Sequence, residues 1–312
     1  MDSRQTEYEK RAADAAATAR AVLAEDAQRV DAFLEGLYRG ERDGRSDRGL
    51  DESVRYSLLA GGKRVRPALT MEFCRLFGGD AALSLPFAAA VEMVHTFSLI
   101  HDDLPCMDDD DLRRGRPTSH RVFGEAAALL AGDSLALDAF GLLARAEKLS
   151  PEAKIAAVSV LSDAAGCGGM VRGQVMDMYG EKHALTRDEL LLLQARKTGA
   201  LIRAAAQLGV LAAGKPADGE EMRTAAGYAD RIGLAFQIVD DVLDATSTEE
   251  QMGKSVGSDA DHNKNTFLSF CTVDEAIAEA ERLSAEAADL LTGYPGSERL
   301  CALAIFLADR KN

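Results

Sequence analysis

The sequence contains no tryptophan, and its five cysteines are scattered without a CxxC pair. This usage indicates neither a disulfide framework nor a zinc site, and it fits a reducing compartment. Alternating apolar and polar positions, which mark half-buried strands, are almost absent. No uninterrupted apolar run approaches the length of a membrane span, and the N-terminal segment lacks the apolar core of a signal peptide. We therefore expect a cytoplasmic protein without a membrane span.

Positive charge is scarce as well. The chain of 312 residues carries 51 acidic side chains against 36 lysines and arginines, which gives a net charge of −15. This balance argues against a nucleic-acid partner, because the phosphates of nucleic acids would be repelled. It is equally unfavourable for any other anionic ligand, so the few clusters of lysine and arginine become informative.

Helical patterns are abundant. Residues 5–38 are rich in Ala, Glu, Arg and Leu, which favour helices. Apolar residues recur at helical spacing over residues 81–103, 122–148, 186–213 and 219–244. Breaks are predicted at residues 213–216 and 247–265. We predict a single all-α domain over residues 1–312.

Local signals delimit several of these helices. Ser150-Pro151 predicts a helix start, because proline is favoured in the first turn of a helix. In a capping box, a threonine cap is followed three residues later by a glutamate. Two such boxes are Thr186 with Glu189 and Thr272 with Glu275.

One stretch concentrates charge of both signs. Asp102 to Pro117 holds six aspartates and three arginines, directly after the apolar run Val91 to Ile100. Carboxylates at this density select hard cations such as Mg²⁺, and arginines bind phosphate oxygens through paired hydrogen bonds. A solvated loop is the alternative. An EF-hand fails because Leu112 and Ser119 stand at ligand positions. The stretch predicts a binding site for a magnesium-bound phosphate or diphosphate.

A second aspartate cluster, far along the chain, favours a site over a solvated loop. Gln237 to Asp244 follows an apolar helical run. Asp240 and Asp244 are four residues apart and therefore share one face of a helix. Two carboxylates placed this way repel one another unless they share a cation.

The first cluster does not obey helical geometry. Asp102 and Asp108 are six residues apart and cannot share a face of a regular helix. Pro105 disfavours helical dihedrals at Leu104 and can end the helix there. We expect the chain to fold back and bring Asp108 towards Asp102.

These motifs together resemble those of trans-isoprenyl diphosphate synthases, with bacterial-type farnesyl diphosphate synthases the closest. DDxxxxD followed by two arginines, and a distant DDxxD, are similar to the two aspartate-rich motifs of that family. Further matching segments are Gly61–Pro67 (GGKRVRP), Lys197–Ala200 (KTGA) and Gly253–Asp259 with Lys264. The segment Asn265–Leu268 departs from the usual Thr-Tyr-Pro. The resemblance implies an antiparallel helical bundle around a deep central cavity, with the two motifs facing each other across its mouth.

The activity that the resemblance implies is a magnesium-dependent head-to-tail condensation. An allylic diphosphate, dimethylallyl or geranyl, would lose pyrophosphate, and the double bond of isopentenyl diphosphate would attack the resulting cation to give farnesyl diphosphate. Metal ions and fixed cations stabilise the leaving pyrophosphate, while an apolar cavity keeps water from the cation. The resemblance also implies a homodimer.

The resemblance assigns roles by matching position. The metal-binding positions are Asp102, Asp103 and Asp108 on one wall and Asp240, Asp241 and Asp244 on the other. The allylic diphosphate would contact Arg113, Lys197, Thr198, Gln237, Lys254 and Lys264. Isopentenyl diphosphate would bind a metal-free basic pocket formed by Gly62, Lys63, Arg66, His95 and Arg114. The reaction itself would depend most on Asp102, Asp108, Lys197, Asp240 and Lys254.

Several of these residues have ordinary alternatives. A lysine beside a helix is usually a surface charge, and a lone histidine in an apolar helix is usually a core residue. His95, however, shares a helix face with Ser98 and Asp102, at spacing i, i+3 and i+7. The remaining aspartates of the first cluster, 109–111, are expected to face solvent or to contact the metal ligands rather than the metal, and His101 and His120 have no assigned role.

Product length depends on one aromatic residue. Phe97 and Ser98 precede Asp102 by five and four positions, and Pro105-Cys106 is a two-residue insertion in the motif. An aromatic residue with this insertion resembles the farnesyl synthases, in which the ring forms the floor of the cavity. The alternatives are a geranylgeranyl diphosphate synthase, a non-catalytic regulatory subunit of a heteromeric prenyl synthase, a terpene cyclase and a magnesium-binding structural protein. A terpene cyclase would not need the basic pocket.

Overall fold

The computed structural model describes residues 3–38, 48–147, 149–246 and 265–308, and it confirms the all-α prediction. The helices, in chain order, are α1 (Ser3–Leu37), α2 (Arg48–Leu58), α3 (Val65–Leu76), α4 (Ala81–Asp102), α5 (Ser119–Phe123), α6 (Glu125–Arg145), α7 (Pro151–Ala165), α8 (Met170–Gly180), α9 (Arg187–Gln194), α10 (Ala200–Ala212), α11 (Glu220–Thr246), α12 (Val273–Asp289) and α13 (Glu298–Ala308). A π-helical turn, Ala195–Gly199, joins α9 to α10, and a 3-10 turn, Phe267–Ser269, precedes α12. Two short strands, β1 (Leu112–Arg113) and β2 (Arg116–Pro117), pair antiparallel.

Most predicted helix boundaries agree with the structure, and both capping boxes are formed. Ser150 caps α7, as Ser150-Pro151 predicted. The predicted helix over 122–148 is instead divided at Gly124, whose φ of 87° is incompatible with a continuing right-handed helix. The predicted break over 247–265 lies, apart from Asn265, outside the described residues.

The centre of the core is formed by α3, α4 and α10, which are buried over much of their length. Small residues let α3 and α10 approach closely. A side chain at Gly209 would collide with the backbone of Thr70, and the Thr70 hydroxyl donates to the Ala205 carbonyl at 2.9 Å. This packing gives α4 a rigid position, and the first aspartate cluster begins at its last residue.

A smaller apolar cluster packs the second half of α11 against α12. Ile238 and Val239 of α11 are buried there with Phe267 of the 3-10 turn and Ala280 of α12. The apolar side of α11 is therefore fixed by packing against α12.

Three helical segments are long and apolar enough, by length and composition alone, to cross a membrane: Ala81–Asp102, Glu125–Arg145 and Pro151–Gly180. In the first, 61% of the apolar window is buried inside the protein, so core packing accounts for much of its apolar character. In the other two segments a smaller share of the apolar window is buried, and α6 exposes Leu130 and Leu137. The absence of a membrane span stays a prediction.

Candidate active site

The first aspartate cluster folds back as predicted. Helix α4 ends at Asp102, and after the turn containing Pro105 the backbone N–H of Asp108 donates to the carbonyl oxygen of Asp102 at 2.9 Å. Asp109 adopts a left-handed conformation with φ of 51°. Burial raises the pKa of the Asp102 carboxyl to about 6, Lys197 opposes this shift, and the charge of Asp108 adds to it. Two carboxylates are thus held side by side at the end of a core helix.

Asp103 has a different environment from its neighbour Asp102. It is buried, and the Arg113 guanidinium donates to it from Nε at 2.9 Å and also from Nη2. Arg113 bonds Asp110 as well, at 2.8 Å. The strand pair β1–β2 returns Arg113 to this position. Asp103, a predicted metal ligand, is therefore paired with Arg113, a predicted contact of the allylic diphosphate.

In the outer part of the cluster, Asp109 and Asp111 are exposed, whereas Asp110 is half-buried and bonded to Arg113. Asp111 is 72% exposed and forms an ion pair with Arg121 at 2.5 Å. His120, next to Arg121, is buried, with Nδ1 3.1 Å from the Thr118 hydroxyl. Thr118 in turn donates to the backbone carbonyl of Asp110. His120 therefore helps to hold this loop in place through Thr118.

The predicted basic pocket is assembled between the loop before α3 and the loop between β1 and β2. Arg114 adopts a left-handed conformation with φ of 54° and donates to the Gly61 carbonyl. Gly62 has φ of 131°, and a Cβ there would lie 2.8 Å from the Arg114 guanidinium carbon. The positive φ favours glycine at this position, and a Cβ there would require the Arg114 guanidinium to move. Lys63 lies at the exposed rim.

Arg66 and His95 form the inner part of the pocket. Burial lowers the pKa of Arg66, and its Nε is a buried donor without a hydrogen-bond partner among the described residues. Burial, followed by repulsion from Arg66 and Arg114, holds the pKa of His95 well below its ordinary value. His95 is therefore neutral near pH 7, and the positive charge of the pocket comes from lysine and arginine. A buried, unpaired arginine donor fits an anionic ligand.

The π-helical turn connects the two predicted walls. Burial lowers the pKa of Lys197, but its ion pair with Asp177 and then the charges of Asp102 and Asp108 raise it overall. The next residue, Thr198, donates to the side-chain oxygen of Gln237 on α11 at 3.1 Å. Turns of this type are frequent at functional sites. Here one residue of the turn bonds the second wall, and its neighbour Lys197 interacts with the charges of the first wall.

The second wall is the last part of α11. Asp240 and Asp244 lie on continuous helix, so the predicted shared face is confirmed. The charge of Asp240 acts on Arg66, which places this wall near the basic pocket. Asp241 accepts a hydrogen bond from the backbone N–H of Phe267 at 2.6 Å and another from Gln194 at 3.3 Å. Its carboxylate thus holds the first residue of the 3-10 turn against α11.

The predicted product-length residues lie on α4. Phe97 is half-buried and packs edge-on against His101, with ring centroids 5.8 Å apart. His101 in turn lies 3.0 Å from the Leu129 carbonyl of α6, at a point where Gly132 has no side chain to block the imidazole. Ser98 donates to the His95 carbonyl. The Phe97 ring is therefore supported from α6. Lys254 and Lys264 lie outside the described residues.

Sequence reasoning missed Asp177. This residue of α8 forms an ion pair with Lys197 at 2.5 Å. A side chain at Gly173, one turn earlier, would collide with the backbone of Lys197, so α8 and the π-helical turn touch. A glycine one turn before an aspartate on a helix was the available signal, and it is a weak one.

The carboxylates of the first cluster fit a magnesium ion. Among the described residues, no group of three or more histidines, cysteines or carboxylates is arranged as a ready-made metal cage. Mg²⁺ is usually held by one or two carboxylates together with substrate phosphates. Asp102 and Asp108, held together by the backbone bond, supply such a pair. The oxygen-only donors suit Mg²⁺ rather than a softer metal.

Comparison with known proteins agrees with this geometry. Residues 47–289 match the polyprenyl synthetase family. The chain belongs to this family. This polyprenyl synthetase is 45% identical over 271 residues to large subunit 1 of the heterodimeric geranylgeranyl pyrophosphate synthase of Arabidopsis thaliana, which covers 84% of this chain and 72% of the relative. It is 47% identical over 234 residues to the farnesyl diphosphate synthase of Geobacillus stearothermophilus, which covers 73% of this chain and 78% of that enzyme.

A solved structure extends the likeness to the fold. The geranyltransferase of Helicobacter pylori, complexed with magnesium and isoprenyl diphosphate, superposes with a TM-score of 0.80 and 32% identity, over 91% of this chain and 95% of the other. This polyprenyl synthetase is thus a prenyltransferase of the trans-prenyl diphosphate synthase type. Both farnesyl and geranylgeranyl synthases occur among its relatives.

Proposed function

We propose that this synthase joins isopentenyl diphosphate to dimethylallyl or geranyl diphosphate and releases farnesyl diphosphate and pyrophosphate. The observation that carries the proposal is the π-helical turn. Its Lys197 lies in the field of Asp102 and Asp108, while Thr198 bonds Gln237 on the opposite wall. A diphosphate between the walls would meet a fixed cation and a hydroxyl together with the carboxylate pair.

The two substrates would occupy different sites. The allylic diphosphate lies between the walls, where Asp102, Asp108 and Asp240 would hold Mg²⁺ and Lys197 would contact its oxygens. When bound, Mg²⁺ stabilises the negative charge that develops on the leaving pyrophosphate. Arg113, whose guanidinium already bonds two aspartates, retains exposed donors at the same rim.

Isopentenyl diphosphate would occupy the basic pocket, where the buried Nε of Arg66 is its natural partner. Arg114 and Lys63 supply further positive charge, and neutral His95 supplies a hydrogen bond without adding charge. The Glu92 carboxylate acts on Arg66 and Arg114 in this pocket, but it already accepts a hydrogen bond from Arg64. The released pyrophosphate would accept the proton, as the resemblance to trans-isoprenyl diphosphate synthases implies.

A farnesyl product follows from Phe97, whose ring, braced by His101, would form the floor for the growing chain. A geranylgeranyl product is the second candidate, supported by relatives such as the Arabidopsis thaliana subunit. A regulatory subunit is disfavoured, since it would not need both carboxylate walls and Lys197 together.

The test of this function is the release of pyrophosphate by the purified protein. We expect release to require both substrates and Mg²⁺, and to fall by at least about a hundredfold in Asp240→Asn. A folded Asp240→Asn variant with unchanged release would contradict the assignment of this wall. Release without isopentenyl diphosphate would indicate hydrolysis or cyclisation instead of condensation.

We also propose that the synthase is a homodimer formed through the outer faces of α6, α7 and α8, which are neighbours in the fold. Leu137 is 74% exposed and Ile155 68% exposed, and Val175 of α8 adds to the same apolar surface. Large contiguous apolar patches on a protein surface commonly mark interaction sites. Sedimentation should give twice the mass of the chain, and Leu137→Asp should shift it to the monomer. A monomeric wild-type protein at micromolar concentration would contradict this proposal.

A further inference from the structure

Arg64 has a backbone conformation that its residue type disfavours. It lies between Lys63 and Arg66 of the basic pocket, at the start of α3, and its φ of 48° and ψ of 37° are left-handed. For a residue with a Cβ, this conformation costs about 1 kcal/mol. Such residues persist only where surrounding contacts hold them, and they concentrate at functional sites.

Three contacts hold the Arg64 guanidinium, each from a different helix. Nε donates to a carboxylate oxygen of Asp31 on α1 at 2.8 Å. One terminal nitrogen donates to the Leu58 carbonyl at the end of α2 at 2.7 Å, and the other donates to Glu92 on α4. The Arg64 and Glu92 side chains are almost entirely buried, whereas the Asp31 side chain is 42% exposed. Arg64 thus clamps the pocket loop to three helices.

The clamp acts on the residues that would bind isopentenyl diphosphate. The backbone of Arg64 connects directly to Lys63, and the first turn of α3 that follows carries Arg66. Glu92 also compensates the neighbouring positive charge, since its carboxylate raises the pKa of Arg66 and of Arg114. Arg64 itself uses its donors within the protein, so it positions the pocket rather than contacting the ligand.

One member of the clamp comes from outside the region that matches the family. The match covers residues 47–289, and Asp31 belongs to the preceding helix α1. Helix α1 also packs along α3, α4 and α13, and these contacts hold the helix that carries Asp31 in place.

We propose that Asp31 and Glu92 are positioning residues for isopentenyl diphosphate, acting through Arg64, and that α1 is thereby a working part of this substrate site. The inference rests on the proposed function for the placement of isopentenyl diphosphate. Its test is direct binding, which does not require turnover.

The test compares Asp31→Asn with Asp14→Asn. Asp14 is an exposed residue of the same helix that lies away from the clamp. Calorimetry would measure the Kd for isopentenyl diphosphate without metal, and the Kd for a non-ionisable thiolo analogue of geranyl diphosphate with Mg²⁺. We expect Asp31→Asn to weaken isopentenyl diphosphate binding about threefold, the scale of a half-exposed ion pair. The analogue should bind unchanged, Asp14→Asn should match wild type, and Asp31→Glu should restore binding.

Glu92→Gln provides an independent test from the buried side of the clamp, with a larger expected loss of about tenfold or more. Equal weakening of both ligands in Asp31→Asn, or no weakening of either, would overturn the proposal. Failure of the wild-type protein to bind isopentenyl diphosphate would overturn it as well. A wild-type protein that binds both ligands without releasing pyrophosphate would refute the proposed function. The positioning role would still be supported if Asp31→Asn raised the Kd for isopentenyl diphosphate and left the Kd for the analogue unchanged.

Discussion

The backbone N–H of Asp108 donates to the carbonyl oxygen of Asp102 at 2.9 Å, although a regular helix would place the two residues on different faces. The bond closes the turn at the end of α4, and the charge of Asp108 contributes to the raised pKa of the Asp102 carboxyl. Pro105, which lies in this turn, stops the helix from continuing. The site is therefore built at the point where a rigid core helix ends.

Asp108→Ala tests the carboxylate pair. The substitution leaves the backbone bond to Asp102 in place but removes one carboxylate, so we expect turnover to fall at least about a hundredfold and its Mg²⁺ requirement to rise. Pyrophosphate release, titrated with Mg²⁺, measures both effects. Asp111→Ala is the matched control, because Asp111 is exposed and paired with Arg121. Equal activities in the two variants would refute the role of Asp108.

Asp177→Asn tests the support of Lys197. Lys197 would lose its charged partner at 2.5 Å and its fixed position towards Asp102. We expect kcat/KM for the allylic substrate to fall about tenfold, the equivalent of one charge-assisted hydrogen bond. Steady-state kinetics with geranyl diphosphate would measure this. The exposed Asp188→Asn is the control, and a decrease of the same size in both variants would mean that Asp177 has no specific role.

The partners of these charged residues were beyond sequence reasoning, which found helices and caps from neighbouring residues. Thr186 with Glu189 is such a local signal, and the capping box is present. Lys197 and Asp177, by contrast, are 20 positions apart, and Arg64 and Asp31 are 33 apart. Their meeting depends on the rotation and packing of separate helices, which local pattern does not specify.

The roles within each aspartate motif were also only partly predictable. Pro105 indicated that Asp108 folds back, and the structure confirms it. Nothing in the pattern distinguished Asp103, which is paired with Arg113 through the short strand pair. Nor did it distinguish Asp241, which holds the Phe267 backbone. Adjacent aspartates point in different directions, so composition alone assigns them equal roles.

Phe97→Ala tests the floor of the product cavity. Removing the ring that leans on His101 should open space below the first carboxylate wall, and the products should become longer. Chromatography of the dephosphorylated products measures the distribution. Phe270→Ala, at a partly exposed position after the 3-10 turn, is the control and should leave the distribution unchanged. An unchanged distribution in Phe97→Ala would show that another residue limits the chain.

A buried carboxyl away from the site sets a pH dependence of stability. Asp26 of α1 is fully buried, and neither of its oxygens has a hydrogen-bond partner among the described residues. Burial, followed by the neighbouring Glu72 carboxylate, raises the pKa of Asp26 to about 8. Arg75, whose guanidinium lies 3.9 Å from the carboxyl, and Arg299 oppose this shift. The folded protein thus retains a proton that the unfolded chain releases near pH 4.

The free energy of unfolding should therefore fall as the pH rises from about 4 to about 8, because only the folded state binds this proton in that window. The slope from this one group is about 1.4 kcal/mol per pH unit. Asp26→Asn, which mimics the protonated form, should flatten the slope and stabilise the protein at pH 8. Urea unfolding at pH 6 and pH 8 measures this, with Asp14→Asn as control. An unchanged slope in Asp26→Asn would contradict the prediction.

The most direct test of the account is the identity of the product. Purified protein would be incubated with labelled isopentenyl diphosphate, dimethylallyl diphosphate and Mg²⁺, and the products would be dephosphorylated and separated by chain length. The account predicts mostly farnesol. Mostly geranylgeraniol would contradict Phe97 as the floor while leaving the condensation intact, and no product at any Mg²⁺ concentration would contradict the proposed function itself.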